Sequence, residues 1–269
     1  MNRKVIFVSF GDSINYSTYL NRISKEATRF SVIDTVQVFT EKDLGEDFLK
    51  SHGKFMSSNK LGYGYFIWKP QVISEALNLL NENDILIYAD AGCHLNIMGQ
   101  SRLNEYIQLL KKSSMICFEL EHENHLYTKR KCFDIIDTDN NYFNSKMIAA
   151  TALIIKKTKS SCKLLEQWKY YSCMYDLIDE SDGKRNHSTF QIHRYDQSIL
   201  SLIARNFNDI CILPDETWFQ NFYKNGKKYP ILAVRRCGKI PKFLKFPYPL
   251  NYFLSKLYHP INKFFYGNS

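Results

Sequence analysis

Asp90 closes the strand-like run Asp84-Ile-Leu-Ile-Tyr-Ala-Asp90 and leads directly into Ala91-Gly92-Cys93-His94. A carboxylate at the carboxyl edge of a parallel strand sits where open α/β sheets hold ligands. There it can bind a divalent cation bridging two phosphates, or hold a sugar hydroxyl. As a plain turn aspartate it would instead bond its own backbone. A second polar group is His193-Arg194-Tyr195-Asp196-Gln197-Ser198. Asp196 and Gln197 open a helix, and a carboxylate there either caps the backbone or works on a substrate. In the second case it can take a proton from a reacting hydroxyl or stabilise developing positive charge. His193 and Arg194 add a hydrogen-bonding and a cationic group to the same loop. Lys69, between Trp68 and Pro70, is placed to meet phosphate oxygens beside the N–H donors of a helix start. Tyr63, Tyr65 and Trp68 offer flat faces for a base or a sugar, or fill core.

The elements that must position these groups follow an α/β pattern. Val5–Phe10 is a continuous apolar run ended by Gly11-Asp12-Ser13, which predicts a buried parallel strand. Helical spacing over 16–30 and a strand over 34–39 complete a βαβ start. Asp12, Ser13, Tyr16 and Arg22 on this unit are candidates for the base and ribose end of a nucleotide, with helix capping and solvation as the alternative. A helix is predicted over 71–80 with Pro70 at its start, where the missing N–H costs nothing. Strands over 84–90, 113–120, 150–155 and 209–213, a helix over 160–175, a loop over 186–194 and a helix from 196 complete the expected order.

Three motifs in this order resemble a known group. Leu86-Ile-Tyr-Ala-Asp90-Ala-Gly92 is similar to the strand and metal-binding DxD turn of GT-A glycosyltransferases. Gly62-Tyr-Gly-Tyr-Phe-Ile-Trp-Lys-Pro70, the Tyr-x-Asp-Ala-Gly turn and His193-Arg194-Tyr195-Asp196-Gln197-Ser198 together resemble bacterial capsule and lipopolysaccharide transferases. The resemblance spans most of residues 1–216. It implies a GT-A fold, a Rossmann-like mixed sheet flanked by helices, over 1–225, with a C-terminal extension over 226–269. It further implies transfer of a sugar from a nucleotide-diphosphate donor, a UDP-sugar, to a glycan or lipid-linked acceptor in cell-surface polysaccharide synthesis. Asp196, Gln197 and Asp90 would be catalytic. Phe10, Tyr16, Arg22, Tyr65, Trp68, Lys69, Asp90, Gly92, His193 and Arg194 would bind the donor. Gly92 replaces the second DxD aspartate, so a Mn²⁺ or Mg²⁺ ion would need Asp90 with His94 or Cys93. Both ions prefer oxygen ligands, which leaves metal dependence open.

The 269 residues are 45% hydrophobic and 23% charged, as expected for a globular protein with a real core. No apolar run reaches the ~18–20 residues of a membrane span. The start carries no cleavage site, and the seven cysteines form no CxxC pair, which reads as a reduced, cytoplasmic protein. The net charge of +9 belongs to the C-terminal end: ten Lys and Arg, and no acid, follow Glu216. Lysines interleaved with Phe, Leu and Tyr, as in Lys242-Phe-Leu-Lys-Phe246, suit an anionic membrane surface on its inner face. A segment packed on the domain is the alternative, and nucleic acid is not an expected partner. The rival functions are a sugar nucleotidyltransferase, which would show a Gly-rich basic loop after the first strand, and a non-catalytic membrane- or nucleic-acid-binding protein.

Overall fold

Val5–Phe10, buried at every position, forms β1 at the centre of a parallel trio. In the computed structural model, which describes residues 3–181, 186–219 and 222–233, it is flanked by β2 (Thr35–Phe39) and β3 (Ile85–Ala89), both parallel to it. Between β1 and β2 runs α1 (Ser17–Ala27). The chain then passes through α2 (Glu46–Ser58) and α3 (Trp68–Asn78) before returning to β3 on the other side of β1. This reversal makes a topological switch point between β1 and β3, and the crevice at their carboxyl ends is the default ligand site of such sheets.

The short β4 (His94–Leu95) and α4 (Gln100–Leu109) follow, then the long β5 (Met115–Glu123). After α5 (Arg130–Ile136) come β6 (Lys146–Ile148), β7 (Ala152–Lys156) and α6 (Lys159–Ser172). The described chain ends with α7 (Asp196–Ala204), β8 (Ile210–Pro214) and β9 (Ile231–Leu232). The main sheet runs β2-β1-β3-β7-β5-β6, with β8 beside β5. β7 is antiparallel to β3 and β5, β6 is antiparallel to β5, and β8 is parallel to it, so the sheet is mixed as expected.

Side chains alternate across the strands. Ile6, Val8 and Phe10 join Leu86 and Tyr88 on the face covered by α2, α3, α6 and α7. Val5 and Phe7 join Ile85 and Ile87 on the face covered by α1 and α4. Both faces are therefore dry, which explains why the central strands read as unbroken apolar runs.

Two local features depart from the expected elements. Gly62, Tyr63, Gly64, Tyr65 and Phe66 all have positive φ (57°, 51°, 83°, 54° and 65°). They form a left-handed turn closed by Tyr65 N–H to the Leu61 carbonyl at 2.8 Å and Phe66 N–H to the Gly62 carbonyl at 3.1 Å. Left-handed helical backbone costs about 1–2 kcal/mol for each residue with a Cβ, so the segment is held by its packing. At Gly64 a Cβ would lie 2.7 Å from the Cα of Met56, and only glycine fits.

The second feature is the end of the described chain. Ile231–Leu232 pairs antiparallel with His94–Leu95, and Asn96 donates to the Lys227 and Tyr229 carbonyls at 2.8 and 3.1 Å. Residues 226–233, beyond the expected boundary at 225, are thus seated beside the turn that follows β3. The basic, aromatic stretch after Ala233, on which the expected membrane contact rests, lies outside the described residues. Among the described residues no helix is long and apolar enough to cross a membrane.

Candidate active site

Asp90, Lys69 and Asp196 meet at the carboxyl edge of β3. The Lys69 Nζ lies 3.0 Å from Asp90 Oδ1 and 3.3 Å from Asp196 Oδ2, and donates to the Ala150 carbonyl at 3.2 Å. Each residue arrives on a different element. Asp90 directly follows β3 and opens a turn closed by Cys93 N–H to the Asp90 carbonyl at 2.8 Å. Lys69 lies in the first turn of α3, and Asp196 is the first residue of α7. Tyr88, two residues before Asp90 and so on the same face of β3, donates its hydroxyl to Asp90 Oδ1 at 2.7 Å.

The three groups differ in access. The side chains of Lys69 and Asp196 are only 3% and 5% exposed, whereas that of Asp90 is 30% exposed. Asp90 is therefore the carboxylate presented to the crevice, with the ammonium behind it and Asp196 behind both. Burial alone would drive Lys69 towards neutrality, but Asp196 and Asp90 outweigh it and hold the ammonium above the usual lysine range. Burial acts the other way on Asp196. It pushes that carboxyl up, Lys69 pulls it back, Asp90 pushes it up again, and the result is about 6. The Tyr88 phenol is raised far above its ordinary value by burial and by Asp90, so it stays protonated and donates. The rings of Phe66, Trp68 and Tyr88 surround the ammonium at 5.2, 5.8 and 5.7 Å, within range of cation–π attraction.

The crevice wall on the β1 side is built from short polar contacts. Ser13 donates both its N–H and its hydroxyl to Glu41, joining the loop after β1 to the loop after β2. Burial, then Glu41 and Asp12, raise the Tyr63 phenol in the left-handed turn. Tyr16 caps the start of α1 without a side-chain bond and packs so closely on Gly11 that a Cβ there would lie 2.4 Å from its own. Phe10 and Trp68 stack at 3.9 Å and are both buried, so they form the floor beneath the site rather than an open platform.

Several expected site residues do other work. Lys69, expected to meet phosphate, directs its ammonium to Asp90, Asp196 and the Ala150 carbonyl. Arg22 is buried under the turn after Asp90, donating to the Ala91 carbonyl at 2.8 Å and the Cys93 carbonyl at 2.7 Å. Its partner Glu26 is fully buried and binds His94 Nδ1 and the Leu95 N–H, each at 2.8 Å. Arg22 and His94 thus brace the Asp90 turn from below. His193 is buried, bonded to the Leu177 carbonyl at 2.9 Å, and held neutral with its imidazole lowered to about 3 by burial and Lys129. Arg194 lays its guanidinium over the Tyr127 ring at 5.0 Å. Gln197 accepts from the Ala150 N–H at 3.5 Å and so fixes the β6–β7 turn whose carbonyl holds Lys69. Tyr65 is half-buried and stacks on Tyr195, and Gly92 lies within the Asp90–Cys93 turn.

The donor set does not fit a divalent cation. Asp90 Oδ1 is taken by an ammonium and a phenol, Asp196 is buried against the same ammonium, Gly92 brings no ligand, and His94 is bonded to Glu26. Among the described residues no group of three or more His, Cys, Asp or Glu side chains is placed to hold a metal. Sequence reasoning missed Tyr88, Glu26 and Glu41. Tyr88 was legible from its i,i+2 spacing to Asp90, but Glu26 and Glu41 are revealed only by the fold that carries them to distant loops.

No protein-family model matches the chain, and no curated protein matches its sequence. Among solved structures, it is similar to a glycosyltransferase involved in glycosylation of the major capsid of PBCV-1, at a TM-score of 0.50 and 9% identity, covering 94% of this chain and 99% of that one. Mouse xyloside xylosyltransferase 1 aligns at a TM-score of 0.46 and 9% identity, over 90% of this chain and 100% of that chain. A 4-diphosphocytidyl-2C-methyl-D-erythritol synthase from Anaerococcus prevotii aligns at 0.36 and 12% identity, over 79% and 87%. The first of these likenesses, with the mixed sheet and its flanking helices, gives the chain a GT-A-like fold.

Proposed function

We propose that this chain is a glycosyltransferase that takes a sugar from a nucleoside-diphosphate donor, a UDP-sugar, and passes it to a glycan or lipid-linked acceptor in cell-surface polysaccharide synthesis. The observation that carries this reading is the convergence of Asp90, Lys69 and Asp196 at the switch-point edge of the sheet, with only Asp90 open to the crevice. Nucleotides in open α/β sheets bind outside the carboxyl ends of the strands, and the loops after β1 and β2 line that same edge.

In this reading the base and ribose lie along the loop after β1, near Asp12, Ser13 and Tyr16, and the sugar lies over Asp90. The exposed Asp90 oxygen accepts a hydrogen bond from a sugar hydroxyl and fixes the sugar for attack. Lys69 and Tyr88 hold that carboxylate in one orientation, so little reorganisation remains when the substrate arrives. Asp196 and Gln197 act from behind: one balances the ammonium, the other holds the turn whose carbonyl accepts from it. The basic segment after Ala233 would keep the enzyme against anionic lipid on the inner face of the membrane, close to a lipid-linked acceptor.

A panel of nucleotide sugars, scored by thermal shift and by release of nucleoside diphosphate, tests the reading. One class of donor is expected to raise the melting temperature and to be turned over slowly in the absence of acceptor. If no nucleotide or nucleotide sugar shifts the melting temperature, the proposal fails.

A further inference from the structure

We propose that the Lys69 ammonium occupies the place of a divalent cation between Asp90 and Asp196, so that the site works as a metal-independent one. The inference deepens the reading of this cluster as the donor-facing site and rests on it. Its basis is what surrounds the ammonium. It donates to the Ala150 carbonyl at 3.2 Å and lies within ion-pair distance of two carboxylate oxygens, Asp90 Oδ1 at 3.0 Å and Asp196 Oδ2 at 3.3 Å. The remaining directions are filled by the faces of Phe66, Trp68 and Tyr88. A hard dication such as Mg²⁺ needs about six oxygens at roughly 2.0–2.1 Å and keeps several waters among them. Aromatic faces supply none of these oxygens but do stabilise an organic cation.

The same substitution is visible along the chain. Gly92 stands where the resemblance calls for a second carboxylate, and His94 is drawn below the turn by Glu26. A positive charge therefore reaches Asp90 from α3 instead of from solution. A lysine held this way is present before any donor binds and does not depend on metal supply. A dication at Asp90 would have to approach an ammonium 3.0 Å from the same carboxylate oxygen, and the repulsion between them at short range in a partly buried site is severe.

The experiment is a Mn²⁺ titration of the full-length protein alone, followed by the electron paramagnetic resonance signal of free Mn²⁺, for wild type, Asp90→Asn, Lys69→Met and Lys69→Arg. Wild type and Lys69→Arg are expected to leave the free signal unchanged up to millimolar Mn²⁺. Lys69→Met, which leaves two carboxylates with no cation between them and removes the repulsion of an incoming dication, is expected to gain affinity by about 10-fold or more. Circular dichroism checks that each variant is folded. If wild type takes up Mn²⁺ and Asp90→Asn abolishes the uptake, the proposal is overturned, and this pair decides the matter even where Lys69→Met does not fold. Binding of UDP in EDTA and in Mn²⁺ is measured in parallel. Equal affinity in both supports the proposal, and binding that requires Mn²⁺ overturns it. Absence of UDP binding in both counts against the donor reading, while the titration of the protein alone still decides the question of the cation.

Discussion

Tyr65 and Tyr195 stack with ring centroids 5.0 Å apart, and both hold a positive φ, 54° and 52°. The contact joins the left-handed turn before α3 to the strained residue that precedes α7. These are the two segments that deliver Lys69 and Asp196. Backbone in such regions persists only where its surroundings over-determine it, and it gathers at functional sites. The Tyr195 hydroxyl is anchored as well, donating to Glu180 at 2.6 Å.

Gly64→Ala tests whether the left-handed turn sets up the site. With φ at 83° and a Cβ 2.7 Å from the Met56 Cα, the variant has no relaxed alternative. Urea unfolding is expected to show a loss of about 1–3 kcal/mol, together with a fall in transfer larger than the unfolded fraction explains. Unchanged stability would show that the turn adapts freely.

Asp196 predicts a pH signature. Its carboxyl titrates near 6, above the ordinary aspartate value of about 3.9. Between these values the folded protein keeps a proton that the unfolded chain has shed, so this group's contribution to stability falls as pH rises from about 4 to 6. Transfer should rise over the upper part of that window as the carboxylate forms. In Asp196→Asn the stability slope due to this group vanishes and transfer falls by about 100-fold or more. An unchanged pH–stability curve in the variant would contradict the assignment.

Glu26 is the reverse case. Burial would raise its carboxyl, but His94 and Arg22 outweigh that effect and hold it below the usual range. Its contribution is therefore complete above the unfolded value of about 4.3 and is lost as pH falls through the lowered folded value. Glu26→Gln leaves Arg22 and His94 without their carboxylate and should cost about 3–5 kcal/mol. It should also loosen the Asp90 turn, which rests on Arg22. Chemical unfolding at neutral pH measures this, and a cost within error of zero would remove the bracing role.

The basic C-terminal segment makes a prediction of its own. Truncation at Pro241 leaves the seated β9 intact, so the domain should fold and act on a short soluble acceptor as wild type does. Binding to anionic vesicles should be lost, and in the full-length protein it should weaken as the Debye length shortens from about 10 Å at 0.1 M salt to about 3 Å at 1 M. Co-sedimentation of both forms measures this. Full-length protein that ignores anionic vesicles at low salt would end the membrane reading.

Much of the fold was legible because the central strands are buried on both faces. Val5–Phe10 and Ile85–Ala89 announce themselves as apolar runs, and the expected strand over 84–90 differs from β3 by one residue at each end. α2, α4 and α5 went unread because their apolar stripes are thin and interrupted by charge. At the site, the sequence singled out Asp90, Lys69 and Asp196 but not their mutual contact, since they are 21 and 106 positions apart in the chain. It also could not show that Asp196 and Lys69 lie beneath Asp90. Residue type predicts chemistry, but only packing decides which charged group faces solvent. Arg22 and His94 looked like ligand groups for the same reason, and Glu26 turned both inward.

The most direct test compares release of nucleoside diphosphate by wild type and Asp90→Asn on the donor that wild type uses, with both proteins shown to be folded by their melting curves. Asp90 is the exposed member of the cluster, and the substitution removes a charge while keeping its volume. The account predicts a loss of about 100-fold or more with the melting temperature retained. Turnover by folded Asp90→Asn at the wild-type rate would contradict it and move the site elsewhere in the molecule.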